Sequence, residues 1–188
     1  STANHIQTPS TYIMNFFKHH NITYMPNPID ISKFPFKLER SNANKILWVR
    51  AFTEIYKPQL AVNVLKKIKV NYPNATLTMV GPDKGNLKKI KKKIKKLNLI
   101  SSIKIEGPVE NAKLFSYYHS HDVFINTTSL ESFGNAVAEA ASSGIPIISN
   151  RVGELPFIWT HKKNILFSEP NSNSFSENLN LLFKSKEL

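Results

Sequence analysis

The 188-residue sequence contains no cysteine, which excludes disulfides, thiol catalysis and cysteine-based zinc sites. No apolar run approaches the roughly 18 residues that a membrane span requires. The first residues are neither basic nor apolar enough for a secretory signal. These absences lead to the expectation of a cytoplasmic protein. Acidic side chains are scarce, with 13 Asp and Glu against 25 Lys and Arg, for a formal charge of +12. Such an excess favours anionic partners by long-range attraction and leaves nucleotide, nucleic acid and anionic lipid open. No metal-ligating cluster is visible either. The six histidines are scattered or, like His19 and His20, adjacent without a carboxylate-rich setting.

What is present fits an ordinary globular domain: 41% hydrophobic and 20% charged residues match soluble averages. The length suits one α/β domain with a flanking segment. Residues 1–44 carry Pro9, Pro26, Pro28 and Pro35 and show no sustained strand pattern. Within them YIMNFFKHH is expected to form a short helix capped by Ser10 or Thr8, and MPNPID reads as extended chain, because residues before proline avoid the α region. The stretch is taken as a linker.

From Lys45 the pattern becomes regular. ILWV, ATLTMV, SIKIE, DVFIN, IPIIS and NILF are candidate strands. Helices are expected around 58–70, 87–97, 111–118, 135–143 and 174–183. This alternation predicts a parallel sheet covered by helices on both faces, with ligands at the carboxyl ends of the strands. The search narrows to the loops at 50–57, 81–85, 107–110, 126–135 and 150–154. Leu87, Ile90, Ile94 and Leu97 form one buried stripe, so the seven lysines among them make a solvated face. Gly81 and Gly85 in GPDKG match neither a dinucleotide fingerprint nor a P-loop and read as a tight turn.

The most informative segment is TTSLESFGNAVAEAASSGIPIIS. A helix beginning near Phe133 would place Glu131 just before its start, with Glu139 facing out almost two turns further on, so that two carboxylates address one ligand. The N–H groups around Phe133, Gly134 and Asn135 would meet a phosphate or sugar hydroxyls, aided by the positive end of the helix dipole. A Glu-x7-Glu spacing alone carries no information, since exposed helices hold glutamates everywhere.

ESFGNAVAEAASSGIP resembles the signature of the glycosyltransferase family 4 group of retaining GT-B enzymes, keeping nearly every element in register. PNPID resembles that family's linker, GPV its Gly-x-Val, and VGELPFI the segment after its fifth strand. The resemblance covers about residues 8–185. It implies a Rossmann-like C-terminal domain over residues 45–188, preceded by residues 1–44 as linker and the tail of an N-terminal domain otherwise absent. The donor would be a UDP- or GDP-sugar and the acceptor a polysaccharide or glycolipid.

Carried over by residue, the resemblance implies that Glu139 takes the ribose hydroxyls, Glu131 with Phe133, Gly134 and Asn135 orients the hexose, and Val109 lies beside the base. Arg50 would neutralise the diphosphate. Lys57 would assist it, although it stands seven residues after Arg50 and precedes proline. Val49 replaces a usual glycine, and Thr127 with Thr128 stands where Pro-Ser is common. Retention would follow front-face departure and attack without a metal or a covalent carboxylate intermediate, and the fragment alone is expected to be inactive.

Two other readings stay open. One is another GT-B enzyme, such as a nucleotide-sugar 2-epimerase. The other is a basic module for lipid or nucleic acid, although no recognised nucleic-acid motif is visible. Peripheral contact of the lysine helix with the inner face of a membrane is a further expectation.

Overall fold

A computed structural model describes residues 4–17 and 21–184. His19 and His20, with the end of the helix expected over 12–20, lie outside the described residues. Six parallel strands form the central sheet: β3 (Lys45–Val49), β4 (Thr76–Val80), β5 (Ile103–Glu106), β6 (Val123–Asn126), β7 (Ile147–Asn150) and β8 (Leu166–Ser168). Their order is β5-β4-β3-β6-β7-β8. The chain runs outward from β3 through β4 to β5, then returns to place β6 on the other side of β3. That reversal opens a crevice at the carboxyl ends of β3 and β6, where doubly wound sheets hold ligands.

Between the edge strands β5 and β8, which are only partly buried, the strands are largely buried on both faces and alternate between two cores. Ile46, Trp48, Leu77, Met79 and Ile125 pack under α2 (Pro58–Ile68), α3 (Leu87–Lys96) and α7 (Ser172–Lys184). Leu47, Val49, Phe124 and Ile147 pack under α4 (Asn111–Ser120), α5 (Asn135–Ser142) and the short α6 (Leu155–Ile158). The stripe expected in the lysine helix is present: Ile90 and Ile94 are buried, while most of its lysines are exposed. GPDKG is a turn in which Asp83 Oδ1 accepts from the N–H groups of Gly85, Asn86 and Leu87 at 2.8, 3.1 and 3.2 Å, capping α3.

Residues ahead of Lys45 hold more structure than their prolines suggest. β1 (Ile6–Thr8) and β2 (Ile22–Tyr24) form a small parallel pair. Three residues each is too short for alternation to show in sequence. α1 (Thr11–Met14) is capped by Ser10, whose Oγ accepts from the Ile13 N–H at 3.0 Å. Further on, Phe34 is 3% exposed within the second core, a burial worth about 1.5–3 kcal/mol. Arg40 donates to the carbonyls of Tyr118 and Ser143 at 2.6 and 2.7 Å. Asp122, at the foot of β6, accepts from Ser41 Oγ, Asn42 N–H and Lys45 N–H at 2.8, 3.0 and 2.8 Å. These contacts bind residues 34–45 to the domain and set where β3 begins.

Candidate functional site

Arg50 follows β3 directly, and the neighbouring strand holds its backbone. Its N–H donates to the Val80 carbonyl at 2.9 Å. Gly81, at φ +146°, lies so close that a Cβ there would sit 2.6 Å from the Arg50 carbonyl carbon. The side chain crosses the crevice at the switch point. Its Nε donates to Asn126 Oδ1 at 3.4 Å, and its guanidinium lies over the Tyr56 ring with 5.1 Å to the centroid. Nη2 pairs with the Glu131 carboxylate, the two side chains being 12% and 8% exposed. So little water screens this pair that it belongs with buried ion pairs rather than with surface ones.

Side chains and one glycine hold the loop carrying Glu131. Thr127 Oγ1 accepts from Trp48 Nε1 at 2.9 Å and donates to the Tyr56 carbonyl at 2.8 Å. The Ser129 N–H donates to the Ile55 carbonyl at 2.8 Å, so the loops after β3 and β6 are tied together. The departure at Thr127 and Thr128 therefore supplies a hydroxyl that proline would lack. Asn150 Nδ2 donates to the carbonyls of Thr127 and Thr128 at 2.9 and 2.8 Å. Behind Glu131, Gly153 adopts φ +56°, and a Cβ there would fall inside the Glu131 carbonyl group. Burial pushes the Glu131 carboxyl above its ordinary value, although the Arg50 charge and the N–H groups of Gly134 and Ser132 pull it down.

The helix expected over 135–143 runs from Asn135 to Ser142, with Gly134 ahead of it in the left-handed region at φ +94°. Glycine is required twice over. Its φ disfavours a side chain, and a Cβ would press on Leu155 Cδ2 at 2.7 Å. No side chain caps α5, so the first-turn N–H groups that lack an intrahelical partner point toward the crevice. Asn135 is exposed and accepts at Oδ1 from Asn27 Nδ2 at 3.0 Å, which brings the PNPID segment to this helix start.

Glu139 does not simply face out. It is half-buried toward α4, accepting from Tyr118 Oη at 3.0 Å and Asn111 Nδ2 at 3.3 Å. Burial raises its carboxyl above the ordinary value, while those two hydrogen bonds and the Arg50 charge partly offset the rise.

Arg50, Glu131, Gly134 and Glu139 are thus brought to one crevice, with half-buried Phe133 in the turn between them. Lys57 and Val109 lie on the same edge of the sheet, with no hydrogen bond or ion pair to Arg50 or Glu131 among the described residues. Lys57 adopts φ +50° ahead of Pro58 at the start of α2, and its carbonyl oxygen lies 3.2 Å from Thr127 Oγ1, the longer of that hydroxyl's two acceptors. Its exposed ammonium has no hydrogen bond or ion pair among the described residues. Val109 packs at the rim of the second core, two residues before Asn111.

A hollow of about 370 Å³ beside Glu131 is lined by Tyr12, Ile13, Phe16, Ile55, Tyr56 and Leu130, with Ser132 at its edge. Among the described residues no group of three or more His, Asp or Glu is placed to hold a metal ion.

The family profile for glycosyl transferases group 1 matches residues 30–188. The chain belongs to that family. Its similarity to individual members is lower and partial. It is 24% identical over 161 residues to a phosphatidylinositol N-acetylglucosaminyltransferase subunit of Homo sapiens, covering 84% of this chain and 32% of that protein. It spans about a fifth to a third of the length of the curated relatives it matches. Among solved structures, HepE of Anabaena in complex with UDP and glucose superposes with a TM-score of 0.86 at 17% identity, over 97% of this chain and 54% of that one. The C-terminal domain of LpcC, a group 1 family protein from Francisella tularensis, gives 0.73 at 19% identity, over 84% and 89% of the two chains. These likenesses establish the GT-B Rossmann-like fold.

Several members of the site escape a reading of motifs. Gly153 and Glu154 stand in VGELPFI, and the glycine was a usable signal for close backbone approach. Glu154 accepts from Ser10 Oγ and Thr11 Oγ1, each at 2.9 Å, and from the Tyr12 N–H at 2.9 Å, joining the loop after β7 to the first helix. Tyr56, Asn126 and Tyr118 carry no local signal, because their importance depends on which strand or helix lies opposite.

Proposed function

We propose that this chain is the donor-binding half of a retaining GT-B sugar transferase, one that moves a hexose from a UDP- or GDP-sugar to a polysaccharide or glycolipid acceptor. The observation that carries the reading is the convergence of one guanidinium and two carboxylates around the uncapped start of α5, at the switch point of the sheet. Glu139 would accept from the ribose hydroxyls, and Val109 would flank the base. Arg50, with the exposed Lys57 ammonium, would neutralise the diphosphate as the glycosidic bond breaks, assisted by the α5 dipole. The acceptor site and the opposing wall of the cleft would belong to a domain outside residues 45–188.

Glu131 would orient the hexose rather than attack it. Its carboxylate is engaged by Arg50, which makes it a poor free nucleophile, and that engagement favours front-face departure and attack over double displacement. Two relatives support the substrate class: HepE was solved with UDP and glucose, and the human relative is named an N-acetylglucosaminyltransferase.

Titrating UDP, GDP and ADP by calorimetry tests the proposal. One of the three is expected to saturate, and Glu139→Ala is expected to weaken it about tenfold or more, the loss of hydrogen bonds to a charged group. Binding that ignores Glu139→Ala and collapses with salt would point instead to the lysine helix as a general polyanion surface.

A peripheral place on an anionic membrane face is part of the same proposal. Its support is the outward lysine face of α3, where Lys89 alone pairs with an acid, Glu54, at 2.8 Å among the described residues. Sedimentation with phosphatidylglycerol vesicles is expected to carry the protein down and phosphatidylcholine vesicles to leave it in solution. Equal behaviour with both would remove the membrane from the proposal.

A further inference from the structure

Tyr118 is fully buried on α4, in a local sequence, FSYYHS, that offers no reason for a phenol at that core position. Its ring is wedged edge-on between Phe34 at 6.0 Å and Phe124 at 5.9 Å, so packing sets its direction. At the tip of that ring the hydroxyl lies 3.0 Å from Glu139 Oε2 and 3.4 Å from the Ala136 carbonyl oxygen. A phenol has one proton to give, and the closer, charged acceptor takes it. Burial first, and the Glu139 charge second, push this phenol well above its ordinary value, so it stays a donor.

The other oxygen of Glu139 is held differently. Among the described residues Oε1 accepts only from Asn111 Nδ2, at 3.3 Å, on the exposed rim of α4. One contact is short and enclosed, whereas the other is longer and open to exchange. The carboxylate is therefore anchored from inside the domain and presents its replaceable side to the crevice.

We propose that Tyr118 is a positioning residue for nucleotide binding, its enclosed hydroxyl holding the Glu139 carboxylate in the orientation that receives the two vicinal hydroxyls of a ribose. The inference rests on the donor-site reading above and assigns to the domain a preference for ribonucleotides over nucleotides lacking those hydroxyls. Ribose would displace the Asn111 amide and leave Tyr118 in place, with Oε2 using its second lone pair.

Among the described residues, the charged and titratable groups that act on Glu139 are Tyr118 from α4 and Arg50 from the end of β3, the latter already paired with Glu131. Removing the Tyr118 donor removes one of the influences that hold the Glu139 carboxyl down. The ionised fraction at a given mildly acidic pH then falls, and binding is lost at a higher pH than in the unaltered protein.

The test compares UDP and GDP with their 2′,3′-dideoxy analogues, in the unaltered chain and in Tyr118→Phe, across mildly acidic to neutral pH. The variant keeps the ring and its packing. Its affinity for the ribonucleotide is expected to fall about tenfold, its acid-side midpoint to move upward, and its affinity for the dideoxy analogue to stay within about twofold. Adding Tyr118→Phe to Glu139→Gln should cost nothing further.

Equal loss for both sugars, or an unchanged midpoint and affinity, would overturn the inference. If Glu139→Gln weakens ribonucleotide binding while Tyr118→Phe does not, this inference alone fails; if neither variant matters, the donor-site reading fails with it. Should Tyr118→Phe not fold, the hydroxyl proton of Tyr118 can be followed by NMR in the unaltered chain. It is expected to shift with the ribonucleotide and not with the dideoxy analogue, and identical spectra would count against the role.

Discussion

Replacing Gly153 by alanine is expected to cost on the order of 4 kcal/mol or more and to lower the melting temperature by about 10 °C. Two effects add. A side chain at φ +56° carries about 1–2 kcal/mol of left-handed strain. The new Cβ would also lie 2.7 Å from the Glu131 carbonyl carbon and 3.1 Å from its nitrogen, with the carbonyl oxygen closer still. Backbone on both sides has to move, and the backbone that moves carries Glu131. Gly85→Ala is the control. Gly85 adopts φ +95° with nothing within 4 Å of where an alanine methyl would sit, so it should cost the strain alone, about 1–2 kcal/mol. Thermal unfolding followed by circular dichroism measures both. Similar melting temperatures for the two variants would show that Gly153 does not press on the Glu131 loop.

Arg50→Ala is expected to cost about 3–5 kcal/mol at neutral pH, because it strands a mostly buried carboxylate without its countercharge. An exposed pair such as Lys89 with Glu54, at 64% and 62% side-chain exposure, would cost about 0–1 kcal/mol instead. The loss should depend on pH in a definite direction. Burial already raises the Glu131 carboxyl and Arg50 opposes the rise, so without Arg50 it rises further. The folded variant then holds a proton that the unfolded chain has released, and its stability falls as pH climbs above the ordinary carboxylate range. Urea unfolding should therefore show a smaller penalty near pH 5 than near pH 8, and Glu131→Gln in the same chain should recover much of the difference. A penalty that is flat with pH would mean that Glu131 is not the group left stranded. Nucleotide binding should be lost in Arg50→Ala at every pH.

The strands and helices were legible because a sheet buried on both faces demands short apolar runs, such as ILWV and DVFIN, and helices between them demand a different period. The start of α5 at Asn135 was legible too, but not the turn that leads into it. Gly134 takes a left-handed conformation against Leu155, a contact that depends on a segment some twenty residues further along the chain. β1 and β2 escaped notice because three residues carry no period, and α6 because LPFI is a single turn beginning beside a proline. Arg50, Glu131 and Glu139 were found through a motif, which supplied their identities and expected tasks but no distances.

By itself the sequence determined the element types, the two-sided burial of the strands, the outward lysine face of α3, and the cluster of loops in which a ligand site had to lie. These follow from local periodicity and from backbone preferences of glycine and proline, which act over a few residues. Only the tertiary structure decided that β6 returns beside β3, and so that Arg50 meets Glu131, that Gly153 presses on the Glu131 backbone, and that a buried phenol on α4 reaches Glu139. Such pairings join residues 21 to 81 positions apart. What selects them is the exclusion of water from a shared interior, a property of the packed whole that no short stretch of chain encodes.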